Sequence, residues 1–536
     1  MSQERVAASM SREAAAPADA DTEPVCPVPH AETQPLPPGH PPVPMGQPSS
    51  LQPPVSEHCI FFRTSDDAVP TPPRQSPPPE GRVLESAGVS VDTASPTSAD
   101  SVLVLSSRTS QLAVAQAQVV QRLLESLYGP GARAFSEVAD GHADAARALL
   151  RRYMPHAAAD TAPTPMSFPA RTMATAGDAN LRSPLYVIGG EGRAIWTKEL
   201  EVALESHAVD AIVHSLKDVP TTLPEGLELA AVTTREDPRD ALVVKEGLPY
   251  KSLADMPRGS VIGTSSVRRV ALLRRSFPHL VFSDVRGNIH TRLTKLDADT
   301  GPYTALVLAA AGLKRVGVDG RITAYLDAPA MLYAVGQGAL AVEVRVPRGK
   351  ARARDERVRA LIASISDWRT MWRCAAERAL LHRMQGGCSI PLGVATSING
   401  EKEAQREGDV GMRQHEDVPS PDAPEQGAVL TLRAVIVSMD GQRSCDHEES
   451  ALCQSVEDVQ ALGFRVADEL EHSQGARAIL EEVERHRKMA EEVDARRRAA
   501  RKRMAAGASG AECAVRGEVD RRGVPRDDGQ AKVWEV

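Results

Sequence analysis

Residues Asp210 to Pro220 read DAIVHSLKDVP, a short apolar run that ends abruptly in charge. Ala211, Ile212 and Val213 have the length and composition of a buried strand. His214, Ser215, Lys217 and Asp218 follow at once, and Pro220 stops any regular element. An acid placed where a parallel strand ends points into the crevice in which open α/β sheets bind ligands. The lysine beside it would hold the acid ionised and would attract an anion. The same residues also fit a surface turn with a solvated ion pair, and by themselves they leave both readings open.

The arrangement recurs along the chain. Val102 to Leu105 reads as a strand and leads into SSRTSQLAVAQAQVVQRLLESL, where Leu112, Ala115, Val119, Leu123 and Leu127 recur at helical spacing. Arg108 and Ser110 then fall at a strand-to-helix junction, where free backbone N–H groups and a nearby guanidinium attract anions. Val261 to Val270 (VIGTSSVRRV) repeats the pattern, with Thr264, Ser265 and Ser266 as hydroxyl donors and helix caps. Arg268 and Arg269 come in the first helical turn, where cations oppose the helix dipole, and that mismatch argues for a bound anion. The strand VFSDV precedes Arg286, Gly287, Asn288 and Arg292, and the strand TALVLA precedes Lys314 and Arg315. Arginine is suited to bidentate carboxylate or phosphate binding. In a chain of net charge -8, such a set implies a ligand with several negative charges and weighs against a general nucleic-acid binder.

The 536 residues allow two to four domains. Residues 1–100 hold 20 of the 40 prolines and read as a disordered extension, without a secretory signal. No apolar run is long enough to cross a membrane. The seven cysteines (26, 59, 374, 388, 445, 453 and 513) form no CxxC pair and no metal-ligand spacing, as in a reducing compartment. Residues from about 139 to 170 read as a mobile insertion, and Gly189, Gly190 and Gly192 as a loop over a site. Strands are expected at Leu229–Val232 and Leu242–Val244, with a local ion-pair network of Arg235, Asp237, Arg239 and Asp240 between them. YAVGQGALAVEVR, with Gln337 between two glycines, returns the chain toward the first domain. Met371 to Leu381 is helical, and RMQGGCSIP presents Cys388 on a glycine turn. A second polar insertion spans about 400–427, Ala428 to Ser438 is a strand, and Val456 to Glu484 forms one or two helices. The tail from about 487 reads as a charged, solvated helix end followed by disorder, with a targeting or anionic-surface patch at 496–503 as the alternative.

Together SSRTSQLA, TKELEVAL, VHSLKDVP, REDPRDA, GTSSVRR, RGNIHTRL, AGLKR, AVGQGAL and ERALLHRMQGGCSIP closely resemble the porphobilinogen deaminase (hydroxymethylbilane synthase) family. The motifs keep their order across most of residues 101–485. The resemblance implies an α/β fold of two type II periplasmic-binding-protein-like domains, 101–237 with 338–366 returning to it and 242–332, plus a small α+β C-terminal domain at 370–485. It implies a covalently attached dipyrromethane cofactor, held by Cys388 through a thioether, and no metal. It also implies stepwise condensation of four porphobilinogen molecules with loss of ammonia, then hydrolytic release of hydroxymethylbilane.

Carried over residue by residue, Asp218 matches the catalytic aspartate. Lys217, Asp218, Thr264, Ser265, Ser266, Arg268, Arg269, Arg286, Gly287, Asn288, Arg292 and Arg315 match cofactor-binding positions. Arg108, Ser110, Arg286, Arg292, Arg315 and Gln337 match substrate-binding ones. The polycarboxylate substrate fits the arginines. The chain departs from the family in having Thr175-Ala176-Gly177-Asp178 where TRGD is usual, Val187 in place of a lysine, and Trp196 in place of a phenylalanine. A monomer without nucleic-acid or membrane partners is expected, in the cytoplasm or a plastid-like organelle. A weak or inactive anion-binding protein on the same scaffold is the alternative, and the pairing of Asp218 with Cys388 argues against it.

Overall fold

The computed structural model describes residues 101–130, 165–175, 196–384, 390–399, 401–402, 422–472 and 475–505. Three sheets organise them. The first runs in the order Ala170–Met173 (β2), Leu105–Arg108 (β1), Ala211–Ser215 (β3), Leu340–Arg345 (β10) and Leu227–Val232 (β4). Strands β2, β1 and β3 are parallel, and β10 runs antiparallel to both neighbours. The second sheet repeats this plan with Val281–Ser283 (β7), Val261–Gly263 (β6), Ala305–Ala309 (β8), Asp240–Val244 (β5) and Ala324–Leu326 (β9). Here β7, β6 and β8 are parallel and β5 is the antiparallel strand. In each sheet the strand order is second, first, third, then a strand arriving from the other half. This doubly crossed α/β arrangement is the two-domain fold expected from the sequence.

Two crossovers, between β4 and β5 and between β9 and β10, join the halves and lie against each other. Glu236 N–H donates to the Gly338 carbonyl at 3.2 Å. Gly338 has φ +91°, and a Cβ there would meet the Glu236 carbonyl oxygen at 2.2 Å, so this close approach requires glycine. The polar residues flagged in the sequence follow the C-terminal ends of β1, β3, β6, β7 and β8, the edge at which open α/β sheets bind ligands.

Helix α1 (Gln111–Tyr128) covers the first sheet with Ala113, Gln116, Ala117, Val120, Leu124 and Tyr128. The expected stripe through Leu112, Ala115, Val119, Leu123 and Leu127 is only half-buried. The apolar arc is broad, and packing against Leu105 and Val213 selects the face one residue further on. The first strand also starts later than expected. Val102 makes a single bridge with Ser167, and the ladder to β2 begins at Leu105. Its partner lies at the edge of the segment read as an insertion. Met166 and Phe168 are buried in the same core, so 165–170 belongs to the domain; 139–164 lies outside the described residues.

The third sheet is antiparallel, in the order Glu401–Lys402 (β12), Leu392–Ile398 (β11), Ala428–Val437 (β13) and Ser444–Cys453 (β14). Two helices, numbered in chain order as α7 (Trp368–Arg383) and α8 (Val456–His472), pack on it. Their core is continuous with Leu216, Val219 and Leu223 beyond β3, while Val435 and Val437 join the core of the second sheet. The third domain therefore wedges against both halves. The tail from about 487, expected as a solvated helix end followed by disorder, is helical to Ala505 within α9 (Ala476–Ala505). Val483 is buried against the second-sheet core, and Arg487 is held by Glu484 and Glu491, three and four residues away.

Candidate active site

Asp218 closes a single 3-10 turn, Leu216–Asp218, placed directly after β3. Leu216 is buried in the core and its N–H donates to the Ala339 carbonyl at 3.0 Å, so the turn is pinned from below. Lys217 and Asp218 are half-buried at the sheet edge. Burial pulls the Lys217 ammonium below the ordinary lysine value; Asp218 opposes this, and Arg269 and Arg268 add to it. Lys217 Nζ donates to Gln337 Oε1 at 3.5 Å.

Opposite stands the start of α3 (Val267–Ser276) in the second half. Ser266 caps it, accepting from Arg269 N–H, while Ser265 Oγ exchanges bonds with the Val285 backbone at 2.7 and 3.2 Å. Thr264 Oγ1 accepts from Ser266 N–H at 3.3 Å. These hydroxyls serve the loop itself in the present geometry.

Arg268 and Arg269 already have an anion, and it is internal. Arg269 Nε and Nη2 donate to Asp240 Oδ1 at 3.0 and 2.7 Å, and Arg268 Nη1 donates to Asp240 Oδ2 at 2.7 Å. Gln337 Nε2 adds a bond to Asp240 Oδ1 at 3.0 Å. Burial by itself would raise the Asp240 pKa, but Arg268 and Arg269 outweigh it and hold the carboxyl well below the usual carboxylate range. The expected local network between the strands is thus only partly local. Asp237 pairs with Arg239 two residues on, whereas Asp240 reaches α3 and Arg235 pairs with Glu377 of α7 at 2.7 Å.

Arg286 and Arg292 flank the same crevice. Gly287, at φ +118°, turns the chain so closely that a Cβ would meet Thr291 Cγ2 at 2.8 Å. Asn288 then caps α4 (Ile289–Asp297) by accepting from Thr291 N–H at 2.8 Å. Arg292 Nε donates back to the Gly287 carbonyl at 2.7 Å. Burial lowers Arg292 to about 10, with Arg269 and Arg286 repelling it and Asp284 and Asp218 opposing them. Burial also lowers Arg286, against the attraction of Asp284. Among the described residues, Lys217, Arg268, Arg269, Arg286 and Arg292 interact with Asp218, Asp240 and Asp284, five cations against three carboxylates. A crevice so biased takes a ligand with carboxylates of its own.

Arg315, the last residue of α5 (Ala310–Arg315), donates to the Gly338 carbonyl at 2.6 Å, and burial lowers it to about 10. It sits at the crossover. Arg108 ends β1 and lies over the Trp196 ring at 4.2 Å, and Ser110 caps α1. Cys388, Gly177, Asp178, Val187 and the glycines at 189, 190 and 192 lie outside the described residues.

Sequence reasoning passed over Gln116, Asp284, Glu377 and Arg378. Gln116 Nε2 donates to Ser215 Oγ at 2.7 Å, on the buried face that the expected stripe missed. The partners of Asp240 and Arg235 lie 28 and 142 residues away, beyond any local pattern.

Comparison with known families matches residues 103–353 to "Porphobilinogen deaminase, dipyromethane cofactor binding domain" and residues 371–472 to "Porphobilinogen deaminase, C-terminal domain". Porphobilinogen deaminase of Debaryomyces hansenii is 44% identical over 316 residues, covering 58% of this chain and 78% of that protein. The Yarrowia lipolytica protein of the same name is 44% identical over 322 residues, 59% of this chain and 84% of its own length. That of a Nostoc species is 43% identical over 318 residues, 59% and 85% respectively.

Proposed function

This chain belongs to the porphobilinogen deaminase family, and from that premise we propose how its own residues carry the family's reaction. The activity is that of hydroxymethylbilane synthase. Four porphobilinogen molecules are condensed head to tail with loss of ammonia, and water then releases the linear tetrapyrrole. The dipyrromethane cofactor, when bound, supplies the primer from which the chain grows. The residues present fit such a group, because the described residues of the crevice include five cations against three carboxylates and the cofactor and substrate both carry acetate and propionate side chains.

In this reading Cys388 holds the cofactor through its sulfur. Arg286 and Arg292 bind the acidic side chains directly. Arg268 and Arg269 keep Asp240 as a fixed counter-ion and offer their remaining N–H groups to the crevice. Lys217 and Gln337 tie the Asp218 turn to Asp240 across the crossovers. Arg108, stacked on Trp196, meets the incoming porphobilinogen with Ser110, and Arg315 holds the crossover beside it.

Asp218 has the central chemical role. As the aminomethyl nitrogen leaves porphobilinogen, positive charge spreads over the pyrrole ring and its N–H. A carboxylate held against that N–H lowers the barrier to loss of the amine. The observation that carries this reading is the place of Asp218 in the 3-10 turn directly after β3, beside Lys217, which donates to Gln337 of the crossover. Asp218→Asn keeps the shape and removes the charge. It is expected to lower kcat for porphobilinogen consumption at least about 100-fold with the fold intact. Turnover within threefold of the parent protein would overturn the assignment.

A further inference from the structure

The loop that carries Asp218 is gripped from the third domain. Arg378 of α7 is 1% exposed, and its guanidinium donates from Nη1 to the Val219 carbonyl at 3.0 Å and from Nη2 to the Pro220 carbonyl at 2.7 Å. These are the two residues directly after Asp218. Burial lowers this arginine to about 10, a cost that a merely space-filling side chain would not incur. A planar fork with two donors fixes two successive peptide groups at once, which no single-donor side chain does. The preceding residue on the helix, Glu377, is fully buried; it accepts from Arg235 at 2.7 and 3.0 Å and from Gly336 N–H at 2.8 Å. Adjacent residues of one helix thus hold the Asp218 loop and the crossover bearing Gln337. That helix ends at Arg383, five residues before Cys388.

We propose that Arg378 is a positioning residue: it sets the Asp218 loop from α7, so that the carboxylate keeps one place while the substrate changes length. This rests on the reading of Asp218 given above. Misplacing a reacting group by about 1 Å costs on the order of 100-fold in rate, so a loose loop acts on kcat more than on KM.

The test uses the full chain with Arg378→Met, which removes both bonds, and Arg378→Lys, which keeps the charge and one reach. Leu470→Ala, on α8 in the third-domain core, serves as a stability control that leaves both Arg378 bonds in place. Amide hydrogen exchange at Leu216, Lys217, Asp218 and Val219 is read beside steady-state kinetics. The expected result for Arg378→Met is faster exchange at those amides, with kcat reduced about 10- to 100-fold and KM changed by less than about threefold. Arg378→Lys falls between it and the parent protein in both readouts. Leu470→Ala lowers Tm but leaves loop exchange and kcat as they were. Loop exchange equal to that of the parent in both Arg378 variants, or kinetics that track Tm as in the control, would overturn the proposal. If Arg378→Met does not fold, Arg378→Lys decides, because loss of one arm of the fork must still loosen the loop. Wild-type turnover in Asp218→Asn would instead overturn the role of Asp218, leaving exchange alone to judge the grip of Arg378.

Discussion

Removing the Asp240 carboxylate is the perturbation whose size follows most directly from the geometry. Asp240 is fully buried, as are most of the Arg268 and Arg269 side chains at 5% and 8% exposure, and three charge-assisted bonds join them at 2.7 to 3.0 Å. Asp240→Asn preserves volume and one acceptor but leaves two guanidinium groups without their counter-ion. Breaking a buried pair from one side costs about 3–5 kcal/mol. Because burial is outweighed by the two arginines, the folded-state pKa of Asp240 lies below its unfolded value. The stabilisation is therefore complete above the ordinary carboxylate pKa and is lost as pH falls through the depressed value. At pH 7 and 8 alike the variant should lose those 3–5 kcal/mol in urea unfolding, and the deficit should shrink below about pH 4. An Asp240→Asn protein within about 1 kcal/mol of the parent at pH 7 would refute the argument that this carboxylate neutralises the pair.

Two further outcomes concern stability alone. Burial, the largest cause, raises Glu201 to about 7, so its neutral form is favoured in the fold. Its stabilisation is present below the unfolded carboxylate pKa and is lost as pH rises through about 7. Glu201→Gln should therefore gain up to about 3 kcal/mol over the parent at pH 8 and little at pH 4.5, measured by denaturant melts; equal gains at both would contradict the burial argument. Gly338→Ala should lose at least about 1–3 kcal/mol in the same assay, because the added Cβ meets the Glu236 carbonyl in a left-handed conformation; an unchanged midpoint would contradict it.

The parallel strands β1, β3, β6, β7 and β8 and their polar ends were legible because each packs an apolar run against an abrupt change in polarity, whereas the exposed, polar edge strand β2 offers no such run. Val261–Gly263 followed by a serine cap and arginines needs no partner to be recognised. Legibility failed where tertiary contacts choose among equivalent local options. The buried face of α1 lies one residue from the predicted stripe because both faces carry apolar residues. Asp240 was read as part of a neighbouring ion-pair set, since nothing in DPRDALVV reveals that its carboxylate turns toward α3. The helix continues to Ala505, past the point near 487 where dense charge suggests a solvated helix end followed by disorder. Yet spaced three and four apart those charges support a helix, and the burial of Val483 anchors it. Arg378 stands within the motif ERALLHRMQGGCSIP, but nothing in it reveals the contact with Val219 and Pro220 that the fold makes.

The central claim is that this chain carries a dipyrromethane on Cys388 and extends it with porphobilinogen. Intact mass of the purified protein beside Cys388→Ser tests it most directly. The account predicts an added mass of one dipyrromethane in the parent, absent from the variant, and further additions of one pyrrole unit each when the parent meets limiting porphobilinogen. A bare polypeptide mass in the parent, persisting after incubation with porphobilinogen or preformed hydroxymethylbilane, would contradict it.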